Sequence, residues 1–167
     1  MIYYVSGGER SGKSSFAQRL AESLSEAPIY IATARIWDEN FQKRIDRHIS
    51  DRGNQWTTIE EEKWISSVIS EKQTVVIDCI TLWITNFFID SKYDVEESLQ
   101  LIKKEIRKVL KINANVIIIS NEIGMGLHPT TESGRKFTEL QGWTNQFIAE
   151  HAHKAYFMVS GLPLTLK

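Results

Sequence analysis

The sequence predicts an α/β domain in which a mostly parallel central sheet is flanked by helices. Short β-branched and aromatic runs alternate with longer segments whose apolar residues recur every three or four positions. A glycine-rich loop stands directly between the first such run and the first helical segment. Because no repeat, low-complexity tract or Pro/Gly/Ser-rich linker divides the 167 residues, we expect a single domain over 1–167.

The first half of the chain contains four predicted elements. Apolar residues four positions apart define its two helices, with Phe16 and Leu20 on the first and Ile45 and Ile49 on the second. In order, the elements are an interior strand at 2–5, a helix at 15–25, a strand at 29–32 and a short helix at 38–51.

The second half continues the alternation of strands and helices. The run TVVIDCI is the clearest strand pattern in the chain, and Asp94 has the character of a helix N-cap. In order, we predict a strand at 74–80, a helix from Asp94 to about Lys111, a strand at 116–120, a helix at 131–153, a strand at 155–161 and a short strand at 164–167. This order is typical of a parallel sheet with helical crossovers.

Composition excludes some function classes. The net charge of −1 gives no electrostatic reason to expect nucleic acid or an anionic membrane as a partner. The single cysteine, Cys79, cannot form an internal disulfide, and its apolar surroundings predict a packed residue rather than a reactive thiol. With no leader pattern and no uninterrupted apolar span, we expect a cytoplasmic protein without stable membrane insertion.

The segment GGERSGKS satisfies the pattern G-x-x-x-x-G-K-[ST] through Gly7, Gly12, Lys13 and Ser14. Such a loop, placed between a strand and a helix, binds phosphate groups: the lysine reaches the β- and γ-phosphates and the serine hydroxyl coordinates Mg²⁺. A chance glycine turn is the alternative, and the flanking strand and helix argue against it.

Two acids follow predicted strands. Asp78 ends the apolar run at 75–77 and is the natural partner of Ser14 in holding Mg²⁺, although a strand-end aspartate can also cap the next turn. Glu122 follows the strand at 116–120. Because ligands of open α/β sheets bind at the carboxyl ends of strands, we expect both acids to line one crevice.

A histidine lies in a basic stretch, KRIDRHISDR. Arg44 and His48 are four residues apart and share one face of the predicted helix. His48 fits either a boundary residue on a solvated basic face or a nucleophile that forms a phosphorus–nitrogen bond among cations. Spacing alone leaves both open.

Several motifs together are more specific than the loop. The sequence contains GGERSGKS at 7–14, YIATA at 30–34, RIxxH at 44–48, DRGxxW at 51–56, DCITLWITN at 78–86, SNEIGMG at 120–126, GWTNQ at 142–146 and VSG at 159–161. In these it resembles, over nearly its whole length, the bifunctional adenosylcobinamide kinase / adenosylcobinamide-phosphate guanylyltransferase family of cobalamin assembly. Many relatives have two adjacent histidines where this chain has Arg47 and His48.

The resemblance implies a RecA-like P-loop NTPase fold, a homotrimer and two reactions. In one, GTP or ATP phosphorylates the aminopropanol hydroxyl of adenosylcobinamide. In the other, GMP passes from GTP to adenosylcobinamide phosphate through guanylylated His48, with Mg²⁺ required. The catalytic residues would be His48 and Lys13, and the metal residues Ser14 and Asp78.

The resemblance also assigns nucleotide contacts residue by residue. They are Gly7, Gly8, Glu9, Arg10, Ser11, Gly12, Lys13 and Ser14 in the loop, then Ala32, Thr33, Ala34, Ser50, Asp51, Arg52, Gly53, Glu60 and Asp78. Two alternatives stay open: a monofunctional small-molecule kinase without a covalent intermediate, and a nucleotide-dependent switch. The absence of an N-K-x-D tetrapeptide argues against the switch.

Overall fold

The computed structural model describes residues 1–35 and 53–167, which form a seven-stranded sheet with helices on both faces. The predicted helix at 38–51, with His48, lies outside these residues. The strands are β1 (Ile2–Gly7), β2 (Ile29–Ala32), β3 (Thr57–Glu60), β4 (Thr74–Asp78), β5 (Asn115–Asn121), β6 (Lys154–Val159) and β7 (Leu162–Thr165). The helices are α1 (Lys13–Leu24), α2 (Ile80–Asp90), α3 (Val95–Val109) and α4 (Glu132–His151), with a short 3₁₀ helix at Ile65–Val68.

The strand order is β3-β2-β4-β5-β1-β6-β7. Every neighbouring pair is parallel except β6 and β7, which form an antiparallel hairpin. The predicted mostly parallel α/β fold is therefore confirmed. Because the six parallel strands point the same way, their carboxyl ends form one edge, and β1 lies between β5 and β6 as an interior strand.

Alternating side chains of the strands pack on opposite faces of the sheet. On one face Val5, Ile117 and Met158 pack against Ala17 and Ala21 of α1. On the other face, the second half of the chain supplies the larger core, in which the fully buried Trp83 and Phe87 of α2 pack edge to face with their ring centroids 5.1 Å apart.

Most predicted elements are confirmed with shifts of one or two residues at their ends. The predicted N-cap is correct, since the Asp94 side chain accepts a hydrogen bond of 2.8 Å from the Glu97 amide. The strand predicted at 74–80 ends earlier, at Asp78, because α2 begins at Ile80 and buries residues spaced three or four apart. Both β3 and α2 were missing from the prediction. Among the described residues, none of the helices has the length and apolar character needed to cross a membrane.

Candidate active site

The glycine-rich loop connects β1 to α1 and packs tightly against the chain that follows β6. Gly12 is the N-cap of α1 with a φ of 94°, and a Cβ there would lie 3.1 Å from the Cα of Gly161. A Cβ on Gly7 would lie 2.7 Å from the carbonyl oxygen of Met158. Both glycines of the motif are therefore required by the close approach of neighbouring backbone.

A pocket of about 270 Å³ lies at the N-terminus of α1. Its lining comes from one segment of the chain: Arg10, Ser11, Gly12, Lys13, Ser14 and Ser15. Two cationic side chains, three hydroxyl groups and the positive end of a helix dipole meet here. We call this the loop pocket, and its lining fits a chain of phosphate groups.

Lys13 is held inside the loop. Its side chain is buried, and its Nζ donates hydrogen bonds to the Gly8 carbonyl oxygen at 2.6 Å and to Ser11 Oγ at 3.5 Å. Burial lowers the pKa of the Lys13 ammonium, while the charges of Asp78 and Glu9 act in the opposite direction. A bound phosphate would supply further negative charge and stabilise the charged form of Lys13.

Ser14 and Asp78 form the part of the site suited to a metal ion. The Ser14 hydroxyl donates to Asp78 Oδ2 at 3.0 Å, across from the end of β4. Mg²⁺ prefers hard oxygen ligands and is usually bound by one or two protein groups together with phosphate oxygens and water. The described residues contain no cluster of three or more His, Cys, Asp or Glu side chains, so one hydroxyl and one carboxylate are the donor set that this site offers to Mg²⁺.

Asp78 is positioned by the segment after β2. Thr33 is fully buried: its amide donates to the Asp78 carbonyl at 3.3 Å and its Oγ1 to the Cys79 carbonyl at 2.9 Å. Asn86 Nδ2 in turn donates to the Thr33 carbonyl at 2.9 Å. Cys79 itself is packed as predicted, and burial raises the pKa of its thiol to about 12. The Thr33 side chain therefore braces the strand end that carries Asp78.

Among the described residues, Glu60 is the predicted site residue that the sheet separates from the loop pocket. Glu60 ends β3, four strands from β1, which corresponds to roughly 19 Å at the usual strand spacing. Ala32 pairs with both Glu60 and Asp78, and Gly53 is exposed. The residues His48, Ser50, Asp51 and Arg52 lie outside the described residues. The structure thus brings Lys13, Ser14 and Asp78 together and leaves Glu60 at a distance.

The expectation that Glu122 and Asp78 line one crevice stays a prediction, although both residues lie at the carboxyl edge of the sheet. The Glu122 amide donates to the Gly7 carbonyl at 3.0 Å, so its backbone does lie beside the loop. Its side chain, however, lines a second pocket on the α4 side of the sheet. The reason is strand alternation: Ser120 and Glu122 face α4, whereas Ile119 packs on the α1 face.

Sequence reasoning missed a buried polar network beneath that second pocket. Asn145 Oδ1 accepts from Ser120 Oγ at 2.6 Å and from Gln141 Nε2 at 2.9 Å, and its Nδ2 donates to the Asn121 carbonyl at 3.2 Å. The polar end of β5, Ser120 and Asn121, was the pattern that could have indicated it. The network fixes the end of β5 to α4.

Comparison with known proteins gives a consistent result. The family model described as cobinamide kinase / cobinamide phosphate guanyltransferase matches residues 3–166. The bifunctional adenosylcobalamin biosynthesis protein CobP of Pseudomonas aeruginosa is 34% identical over 168 residues, covering 98% of this chain and 95% of that protein. The bifunctional adenosylcobalamin biosynthesis protein CobU of Escherichia coli is 31% identical over the full length of both.

A solved structure supports the fold. The flagellar accessory protein FlaH of Methanocaldococcus jannaschii aligns with a TM-score of 0.50 at 16% identity, over 99% of this chain and 77% of that one. Together with the loop geometry, this likeness agrees with the predicted RecA-like arrangement of P-loop NTPases.

Proposed function

The chain belongs to the cobinamide kinase / cobinamide phosphate guanyltransferase family, and we propose that one domain over residues 1–167 acts on adenosylcobinamide in both reactions. Membership makes it an enzyme of cobalamin biosynthesis with kinase and nucleotidyltransferase activity. The observation that carries the proposal is the 3.0 Å contact between Ser14 and Asp78 beside the buried Lys13.

In the kinase reaction, a nucleoside triphosphate, ATP or GTP, occupies the loop pocket. Lys13 and Arg10 neutralise phosphate charge, and the loop excludes water from one side of the phosphate chain. Ser14 and Asp78 would hold Mg²⁺, which would neutralise charge on the phosphate oxygens. The aminopropanol hydroxyl of adenosylcobinamide attacks the γ-phosphorus, and the nucleoside diphosphate leaves.

In the guanylyltransferase reaction, neutral His48 attacks the α-phosphorus of GTP and pyrophosphate leaves. Lys13 stabilises the charge on the departing pyrophosphate, and the phosphate of adenosylcobinamide phosphate then displaces the histidine. The attack needs a His48 that is neutral near pH 7.

We further propose that the nucleotide contacts extend beyond the loop pocket and that the protein is a cytoplasmic homotrimer. Membership of the family supports the homotrimer and the cytoplasmic location, and the placement of Ala32, Asp78 and Glu60 in register at the carboxyl edge supports the wider nucleotide contacts. The proposed contacts are Gly7, Gly8, Glu9, Arg10, Ser11, Gly12, Lys13, Ser14, Ala32, Thr33, Ala34, Ser50, Asp51, Arg52, Gly53, Glu60 and Asp78.

Two labels distinguish this proposal from its rivals. Protein, Mg²⁺ and adenosylcobinamide are incubated with ATP or GTP labelled at the γ-phosphate, or with GTP labelled at the α-phosphate. We expect the γ-label to appear on the corrinoid. We expect the α-label to appear on the corrinoid as well, once adenosylcobinamide phosphate is present. A monofunctional kinase would transfer the γ-label alone, and a switch would release phosphate without labelling the corrinoid.

A further inference from the structure

A second pocket of about 370 Å³ lies on the opposite side of the sheet from α1. We call it the α4-face pocket, since α4 forms one wall and β1, β6 and the residues after β5 form the others. Its volume is within the range of about 300 to 1,000 Å³ that is usual for small-molecule sites. The residues that define its chemistry are Tyr4, Ser6, Glu122, Asn145, Phe157 and Leu166.

One end of the α4-face pocket is polar and rigid. Tyr4, Ser6 and Asn145 are buried, and the Tyr4 hydroxyl is hydrogen-bonded with Ser6 and Ser120. Glu122 Oε1 accepts a hydrogen bond of 3.0 Å from the Gly124 amide, and an ionised carboxylate has room for further donors. This end therefore offers a fixed carboxylate to a ligand that donates a hydrogen bond.

The other end of the pocket opens onto an apolar sheet face. In the β6–β7 hairpin, Phe157 pairs with Leu164 and Val159 with Leu162, so these side chains point to the side of the sheet that α4 only partly covers. Leu162 is 71% exposed, Leu164 56% and Leu166 60%. Exposed apolar surface continuous with a mostly apolar pocket that has a few polar groups at one end is typical of a ligand-binding groove.

The position of the pocket relates it to the phosphate loop. The Glu122 amide is hydrogen-bonded to the Gly7 carbonyl, so the polar end lies directly beside the first residue of the loop. The described lining contains a carboxylate and no Lys, Arg or His, so it disfavours a phosphate chain. The two pockets thus suit different molecules: an anion in the loop pocket, and in the α4-face pocket an uncharged or cationic molecule that donates hydrogen bonds and has an apolar face.

We propose that the α4-face pocket binds the acceptor of the kinase reaction, which rests on the function proposed above. The aminopropanol arm of adenosylcobinamide, which carries the hydroxyl, lies in the polar end of the pocket. One face of its corrin ring lies on the leucines of the β6–β7 hairpin. As the hydroxyl oxygen bonds to the γ-phosphorus, the bond from that phosphorus to the bridging oxygen breaks and the nucleoside diphosphate leaves. The Glu122 carboxylate accepts the hydroxyl proton.

The test fills the pocket from α4. Ala149 lines it and is partly buried, whereas the adjacent Glu150 is exposed and does not line it. Ala149→Trp is expected to raise the Kd for adenosylcobinamide, measured by equilibrium dialysis, at least tenfold and to leave the Kd for GTP within twofold. The matched control, Glu150→Trp, is expected to change neither value. Unchanged corrinoid affinity in Ala149→Trp, with GTP binding intact, would overturn the proposal.

A second pair of variants guards against misfolding and against a different occupant. Leu164→Lys alters an exposed side chain and is expected to weaken corrinoid binding about tenfold without changing the molar mass by light scattering. A fall in molar mass with corrinoid affinity retained would assign the leucines to a second copy of the chain and overturn the assignment.

Glu122→Gln is expected to lower kcat for phosphoryl transfer about a hundredfold and to leave GTP affinity unchanged. Unchanged kcat in Glu122→Gln would overturn the role of Glu122 as proton acceptor.

The outcome for the wild type separates the two proposals. If the wild type binds adenosylcobinamide in the α4-face pocket but never phosphorylates it, the proposed kinase function fails and the pocket assignment stands. If the wild type phosphorylates adenosylcobinamide and Ala149→Trp does so with unchanged KM and kcat, the function stands and the pocket assignment fails.

Discussion

The loop pocket and the α4-face pocket lie side by side at the same edge of the sheet, yet they are built in opposite ways. The loop pocket is lined by six consecutive residues, 10–15, so its lining groups are neighbours in the sequence. The α4-face pocket takes its lining from β1, α4, β6, the segment between β5 and α4, and Leu166 after β7. A contiguous site is therefore visible in sequence spacing, whereas a dispersed one depends on sheet order and strand alternation.

The two pockets also differ in charge. Arg10 and Lys13 face the loop pocket, and Glu122 is the charged residue in the described lining of the other. Changes in the first pocket should therefore act on nucleotide binding and chemistry, and changes around the second on the acceptor and on the packing of α4. The variants below test this division in order of expected effect.

Lys13→Ala should have the largest effect. Because the ammonium is the cation that faces the phosphates from inside the loop, we expect both γ-phosphoryl and guanylyl transfer to fall by at least about 10³-fold. Label transfer measures both rates. Arg19→Ala, which removes an exposed cation from the same helix, is the matched control and should retain full activity. If Lys13→Ala retained one of the two reactions, that reaction would not take place in the loop pocket.

Asp78→Asn and Ser14→Ala should each lower activity about a hundredfold at limiting Mg²⁺, with part of the loss restored at high Mg²⁺. Since both residues are proposed to hold one ion, the double variant should cost little more than the worse single variant. A titration of activity against Mg²⁺ concentration measures this. Strictly additive losses would mean that the two side chains do not share an ion.

Asn145→Ala should weaken the attachment of α4 to the end of β5 without changing the loop pocket. It removes one hydrogen-bond partner from each of Ser120, Gln141 and the Asn121 carbonyl, so we expect the free energy of unfolding to fall by about 2 to 4 kcal/mol. The matched control is Thr144→Val, because Thr144 Oγ1 is buried without a hydrogen-bond partner among the described residues. Its unfolding free energy should change by less than about 0.5 kcal/mol or rise. Urea unfolding measures both.

Gly12→Ala tests how tightly the loop is packed. A Cβ at φ 94° is strained and meets the backbone of Gly161, so we expect a loss of about 1 to 3 kcal/mol in unfolding free energy, together with weaker GTP binding. Gly8 lies in the same loop with nothing within 4 Å of the Cβ position, so Gly8→Ala should leave the unfolding free energy within about 0.5 kcal/mol. Equal effects of the two changes would refute the packing argument.

Asp90→Asn should have the smallest effect, because it lies away from both pockets. The Arg35 guanidinium, with hydrogen bonds of 3.1 and 3.2 Å, and Lys63 lower the pKa of Asp90 to about 2. Because the folded pKa lies below the unfolded value of about 3.9, the stabilisation is present above that value and disappears as the pH falls through 2. The pair is solvent-exposed, so we expect less than about 1 kcal/mol at pH 7. Melting temperatures of wild type and variant should converge near pH 2 and differ at pH 7.

Sequence patterns predicted most of the fold because local chemistry determines where most elements begin and end. Asp94 marked the start of α3, and four-residue spacing marked α1. The pattern failed at residues 79–90, where an apolar run looks the same whether it continues a strand or begins a helix. It also failed for β3, a four-residue strand whose pairing with β2 is a tertiary contact.

The residues of the candidate site likewise fall into those that the sequence predicted and those that it could not predict. Lys13, Ser14 and Asp78 were predicted, because the loop motif fixes two of them and the third ends the strongest strand. The side to which Glu122 points could not be predicted without the register of β5, which pairs Gly7 with Asn121. Tyr4, Ser6 and Asn145 could not be predicted as pocket residues, since nothing in their local sequence distinguishes them from ordinary core positions.

The most direct test of the account is covalent labelling of the chain. The protein is incubated with Mg²⁺ and GTP labelled at the α-phosphate, denatured, and examined for bound label that is acid-labile and base-stable, as a phosphoramidate is. We predict label on the wild type, none on His48→Ala and little on Lys13→Ala. An unlabelled wild type that binds GTP, or equal label on His48→Ala, would contradict guanylyl transfer through His48.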